Sequence, residues 1–392
     1  MPRMRSRAAR TSCRVSIARQ GDRAGPPGQV VMWDEGASAM GCGSTREDSV
    51  WRLGVRMAGK ASVRVVDRLA VVDETRADRQ TIEIYELVTR KVRVGRVPLL
   101  FKALAAEKAL GPCWTALRPA IRVRAFEEAA DDLRARAARA AVDLGCPLIE
   151  TQLEWAGYDV DEIDQIRGQV DIFHYVDAKL LMAVAVLAEA VSGGVGGVSR
   201  GPRGEQRVPR GVPHEMDPIE LVPEDADGVL GKVFRSIRTH LGLGIVPDDF
   251  RALGRWPKYL ELAWTDARKR DGEAPARIAL NEIGGLADEA ARQLPVRVAV
   301  SAEALRAAGA DPSRVHTLLQ RFRRALPGLV LDLALFKVQL DGAEAARESP
   351  FPIRWKYISS DEYTTVGLDE PVKLRAGDPK DLDEEERPHR PH

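Results

Sequence analysis

The sequence predicts an all-α fold made of two tandem, pseudo-symmetric helical repeats that face each other across a central seam. Three observations carry that expectation. From about residue 76 apolar residues recur at helical spacings. Runs of Val, Thr, Ile and Tyr bounded by turn residues, the mark of strands, are scarce. One segment of the chain also recurs about 150 residues further on, position by position.

Taken in order, residues 1–60 are rich in Arg, Gly, Ser and Pro without sustained periodicity, which reads as a disordered N-terminal extension. Its first 23 residues hold seven arginines and one acid, but no apolar run follows, so it is not a secretory signal. Met57 offers an alternative start. Thr81–Lys91 sets Tyr85 and Val88 at helical spacing. Phe126, Ala130, Leu133, Ala137 and Ala141 form a single stripe on a long helix. Residues 178–191 are apolar on almost every side, as in a helix enclosed by a core. The longest uninterrupted apolar run, Leu180–Ala188, is nine residues, about half of a membrane span. Residues 192–226 interleave Gly193, Gly194, Gly196 and Gly197 with Pro202, Pro209, Pro213 and Pro218, which reads as a linker. The expected organisation is therefore an extension at 1–60, repeat one at 61–191, a linker at 192–226, repeat two at 227–353 and a charged, disordered tail at 354–392.

The repeat is legible in detail. Val97-Pro98-Leu99-Leu100-Phe101-Lys102-Ala103-Leu104 returns as Val246-Pro247-Asp248-Asp249-Phe250-Arg251-Ala252-Leu253, an offset of 149. Tyr85 pairs with Phe234 and Val88 with Ile237 at that offset, while Trp114 pairs with Trp264 and Ala137 with Ala287 at 150. Helices expected at 178–191 and 328–341 then coincide. The seam between two such copies is a natural place for a pocket.

Composition removes several function classes. With 59 basic and 58 acidic residues the net charge is +1, so the total gives no sign of a polyanion-binding surface, and neither nucleic acid nor membrane is expected as a partner. Cys13, Cys42, Cys113 and Cys146 are too scattered for a disulfide framework or a CxxC site, which favours a reducing cytoplasm. Six histidines and four cysteines form no ligand cluster, so no metal is expected. His214-Glu215 lacks the second histidine of HExxH, and the glycines at 193–197 lack GxGxxG spacing. Neither a GxSxG elbow nor a GxxxxGK[ST] loop occurs.

Where the two copies differ in chemistry, one can carry function. Leu99-Leu100 in the first copy becomes Asp248-Asp249 in the second, just after a proline suited to a first helical turn. Acids there can simply complement the helix dipole. The other reading is a carboxylate at the seam acting as a general base. Asp177 likewise faces Pro327 in the other copy and stands before the apolar helix, where it reads either as an N-cap or as a group reaching into the seam. His174 reads as a packed histidine, and Asp332 lies in an apolar run at either the rim or the seam.

The segment Leu340-Asp341-Gly342-Ala343-Glu344-Ala345-Ala346-Arg347-Glu348-Ser349-Pro350-Phe351-Pro352-Ile353 closely resembles the C-terminal signature of the group I 2-haloacid dehalogenases, the DehI type, also labelled halocarboxylic acid dehydrogenase. Met216-Asp217-Pro218, Asp249-Phe250, Trp256-Pro257-Lys258 and the Phe173-x-Tyr175-x-x-x-Lys179 pattern fit the same family in the same order, over about residues 76–353. The resemblance implies two helical repeats with the active site between them. It also implies cofactor-free hydrolysis of a carbon–halogen bond in a small 2-halocarboxylic acid, by water attack at C2 with inversion and no covalent intermediate. The family's catalytic aspartate falls on Asp249 and its water-positioning asparagine on Asp177. Its serine before the aspartate falls on Asp248, and two pocket aromatics fall on Leu99 and Lys102. Three carboxylates thus stand where the family pattern has one, so an anionic substrate meets a more negative pocket unless one acid is protonated or Lys102 compensates. A homodimer is left open. The alternative to a cytoplasmic hydrolase is a catalytically silent or substrate-shifted binding protein on the same scaffold.

Overall fold

The computed structural model describes residues 67–193, 211–212 and 219–351. The expected extension at 1–60 and tail at 354–392 lie outside the described residues, as does most of the expected linker.

The described residues form twelve α-helices and no β-strand. The first six are α1 (Arg79–Val88), α2 (Leu99–Ala106), α3 (Leu110–Leu117), α4 (Arg124–Asp143), α5 (Glu150–Trp155) and α6 (Val160–Ser192). The second six are α7 (Gly228–Leu241), α8 (Asp248–Leu253), α9 (Pro257–Arg268), α10 (Ala274–Gln293), α11 (Ala302–Ala307) and α12 (Pro312–Arg347). The two sets run through a similar succession of lengths: 10, 8, 8, 20, 6 and 33 residues, then 14, 6, 12, 20, 6 and 36. None of these helices is long and apolar enough to cross a membrane.

Local chemistry sets the helix starts. Asp78 accepts from the Thr81 amide at 2.7 Å ahead of α1. Asp159 and Glu162 form a reciprocal capping box ahead of α6, at 2.8 and 3.1 Å. Ser301 accepts from the Ala304 amide ahead of α11, and Asp311 caps α12 with Pro312 in its first turn. These caps correct two sequence expectations. The helix expected from 178 begins at Val160, and the one expected from 328 begins at Pro312. Their first halves are amphipathic and partly exposed, so an apolar-run criterion finds only the enclosed halves. Asp177 is consequently mid-helix rather than an N-cap.

The four long helices α4, α6, α10 and α12 pack against one another in every pairing and form the centre of the core. The predicted stripe on α4 (Phe126, Ala130, Leu133, Ala137, Ala141) is buried throughout. The Arg134 guanidinium, 2% exposed, donates to the carbonyls of Ala346, Arg347 and Glu348, tying the end of α12 to α4. Of the expected linker, Val212 donates to the Arg93 carbonyl and Val222 to the Arg251 carbonyl, so these portions lie along the helices. Gly211 is at φ 117° with the Arg93 carbonyl 2.7 Å from where a Cβ would stand, which leaves room only for glycine.

Candidate active site

α8 is a single short turn-and-a-half, launched by Pro247 in extended conformation, and it packs against α6. That contact brings the acids of one half of the chain to a helix of the other. Asp249 is 7% exposed and Asp177 1%. Both oxygens of Asp177 are buried without a hydrogen-bond partner. Burial pushes the Asp177 carboxyl well above the usual carboxylate range, and the Asp249 charge raises it further. Asp249 is pushed up to about 7, first by burial and then by the charge of Asp248, with its own backbone amide partly offsetting the rise.

Asp248 is placed differently. It sits half-buried in a cage of cations: Arg96 Nε at 3.3 Å, Arg251 at 3.4 Å and Lys102 Nζ at 3.6 Å. Lys102, 3% exposed on α2, also pairs with Glu74 at 2.9 Å. Lys102 and Arg251 are counterparts at the 149-residue offset, so equivalent positions in the two halves converge on one carboxylate. Arg96 and Arg251 also donate to the carbonyls of Ile219 and Val222, which fastens the end of the crossover segment to this cluster. Leu99 opens α2 half-buried against the core. The structure therefore groups Asp248 with Lys102, and Asp249 with Asp177.

Several charged networks join residues whose partners the sequence reading did not name. Lys179, 1% exposed, pairs with Glu127 at 2.6 Å, donates to the Val92 carbonyl at 2.7 Å and lies by the Tyr175 hydroxyl that also donates to Glu127. Lys337 bridges Asp171 and Asp341. His174 is buried with Nε2 3.4 Å from Arg134, and burial holds its imidazole neutral, well below the usual range. The Phe-x-Tyr-x-x-x-Lys spacing placed Tyr175 and Lys179 one turn apart, and that spacing was the available clue to their shared partner.

A cavity of about 190 Å³ lies elsewhere, between α7, α9, α10 and α12, lined by His240, Arg268, Asp271, Asp332 and apolar side chains. Asp332, undecided between rim and seam in the sequence, is buried there. It is paired with Arg268 and stands 3.9 Å from His240. Burial pushes the Asp332 carboxyl up to about 7 and the Arg268 charge works against that rise; Arg268 pairs with it, whereas neither Asp177 nor Asp249 has a cationic partner among the described residues.

Known proteins bear on this geometry. A curated (R)-2-haloacid dehalogenase of Pseudomonas putida is 34% identical over 281 residues, covering 68% of this chain and 91% of that one. The chain belongs to the DehI family. The family profile described as halocarboxylic acid dehydrogenase DehI matches residues 95–225, a range that holds Leu99, Lys102 and Asp177 and stops before Asp248. A configuration-inverting 2-haloacid dehalogenase of Alcaligenes xylosoxydans xylosoxydans is 29% identical over 286 residues, 69% of this chain and 93% of that one. Among solved structures, a complex of a D-2-haloacid dehalogenase mutant with D-2-CPA superposes with a TM-score of 0.65 at 26% identity, covering 73% of this DehI-family chain and 98% of that one. A complex of a D-2-haloacid dehalogenase with L-LA gives 0.64 at 29% identity, covering 73% and 99%.

Proposed function

We propose that this DehI-family chain hydrolyses the carbon–halogen bond of short 2-haloalkanoic acids, with Asp249 as general base and Asp177 beside it in the same site. Water oxygen bonds to C2 from the face opposite the halogen, the carbon–halogen bond breaks, and halide leaves with both bonding electrons. Asp249 takes the water proton and later returns it to solvent. No ester forms, and C2 inverts. In this reading the site lies in the seam between two copies of one helical unit, at 61–191 and 227–353, and the parallel succession of helix lengths supports that reading.

The observation that carries the proposal is Asp249 itself. A carboxylate is a weak base in water, with a reference pKa of about 3.9. Burial and the neighbouring Asp248 raise Asp249 to about 7, which suits proton abstraction at neutral pH while leaving much of it ionised. The silent-scaffold alternative calls for exposed capping acids, whereas Asp249 and Asp177 are buried. Arg96, Lys102 and Arg251 surround Asp248 and offset part of its repulsion for an anionic substrate. Leu99, half-buried at the start of the helix that carries Lys102, is the apolar side chain assigned to the alkyl part.

Halide release from a panel of short 2-haloacids, both enantiomers of each, tests the proposal. Release from at least one, lost by a factor of about 10²–10⁴ in Asp249→Asn, is expected. No release from any of them, or equal release from the variant, would remove Asp249 from the reaction.

A further inference from the structure

The Asp177–Asp249 pair lacks a counter-charge. Asp177 is 1% exposed, and neither of its oxygens has a hydrogen-bond partner. Among the described residues, no Lys, Arg or His forms an ion pair with either carboxylate, although the chain is rich in such pairs elsewhere. The charged groups on the surrounding helices are engaged with one another. On α6, Lys179 serves Glu127 of α4, and the neutral His174 lies against Arg134 of α4. On α12, Lys337 serves Asp171 and Asp341, and Asp332 is held by Arg268. Asp288 of α10 is held by Arg323. On α9, Asp266 is held by Arg270 at 2.9 Å. Asp248, next to Asp249 on α8, takes Arg96, Lys102 and Arg251. On α3 the buried Cys113 thiol is pushed up to about 12 and stays neutral.

Two carboxylates within each other's field, both enclosed and without a cation, do not both ionise near neutral pH. The group that keeps the proton is the one whose anion has least support. Asp177 is the more enclosed, in mid-helix with no donor, whereas Asp249 stands in the first turn of α8, where its own backbone amide supports the anion.

We propose that Asp177 and Asp249 share one proton, Asp177 standing as the neutral acid that donates a hydrogen bond to the substrate carboxylate while Asp249 stands ionised as the base. This rests on the dehalogenase reading above. A neutral carboxylic acid presents one donor and one acceptor, so it can receive an anionic substrate where a second carboxylate would repel it. During attack the water proton passes to Asp249 and the pair briefly holds two protons; one leaves to solvent with the halide. Loss of the shared proton at higher pH puts two negative charges against the substrate, which gives activity an alkaline limit. Asp177 is then a positioning residue with a required protonation state.

Two measurements on the full chain test this. The first is kcat/KM for 2-chloropropionate against pH. The wild type should fall roughly tenfold per pH unit on the alkaline side, and Asp177→Asn, whose amide donates at every pH, should lack that limb. The second is infrared spectroscopy of the resting protein, where the band of protonated carboxyls at neutral pH should lose the Asp177 component in Asp177→Asn, while that of buried Asp332, pushed up to about 7, is unchanged. An alkaline limb that persists in Asp177→Asn, or a band identical in wild type and Asp177→Asn, would overturn the shared proton. The Asp177 component together with no halide release from any 2-haloacid would uphold the proton pair and refute the dehalogenase reading. Halide release without that component would do the reverse.

Discussion

Asp249 should make the protein less stable as pH rises, and Asp249→Asn should remove that dependence. In the unfolded chain an aspartate titrates near 3.9, whereas in the fold Asp249 is held at about 7. A carboxyl with a raised folded pKa costs nothing while protonated in both states. The cost appears as pH climbs past the unfolded value and levels off above the folded one. A difference of about 3 units at 1.36 kcal/mol each gives about 4 kcal/mol at full extent. The same relation leaves the smaller part of that cost at pH 5 and close to the full amount at pH 8. The near-isosteric amide carries no such cost. The variant should therefore gain on the wild type between pH 5 and pH 8, by roughly 2–3 kcal/mol. Urea denaturation at the two pH values, with matched m-values, reads the difference directly. A variant whose stability relative to wild type is the same at pH 5 and pH 8 would show that Asp249 is solvated in solution, and the raised base would be withdrawn with it. The gain should coincide with loss of halide release, a trade of stability against activity at one side chain.

Two further substitutions probe the surroundings. Asp248→Asn removes the like charge that helps raise Asp249, so the acid limb of kcat/KM should move to lower pH, and the base should weaken modestly rather than fail. Lys337→Met strips buried Asp171 of its cation and should cost about 3–5 kcal/mol in urea denaturation; Lys337→Met with Asp171→Leu should recover most of that loss, and a loss below about 1 kcal/mol for the single variant would show the bridge to be solvated.

Much of the fold was legible in the residues because it rests on short-range rules. The α4 stripe, the proline before Asp248 and the apolar half of α6 each state their structure locally. The starts of α6 and α12 were misplaced because the capping chemistry of Asp159 and Asp311 lies well before the apolar runs that drew attention. Asp249 and Asp177 were legible as differences between two copies of one pattern, and Lys102 as the charge that answers Asp248. The pairing of Lys179 with Glu127 and of Lys337 with Asp171 was not, since these pairs join helices distant in sequence and any of several acids would read equally well. The crossover segment gave only its composition. Its anchoring through Val212, Val222 and the arginines Arg96 and Arg251 depends on backbone carbonyls, which carry no residue code.

A single turnover in ¹⁸O-water, with enzyme in excess over a chiral 2-haloacid, tests the central claim most directly. Water activated by Asp249 should place ¹⁸O in the 2-hydroxy acid, invert C2 and leave the protein unlabelled. Label found in the Asp249 carboxyl after proteolysis, with unlabelled product, would make the carboxylate the nucleophile and contradict the account.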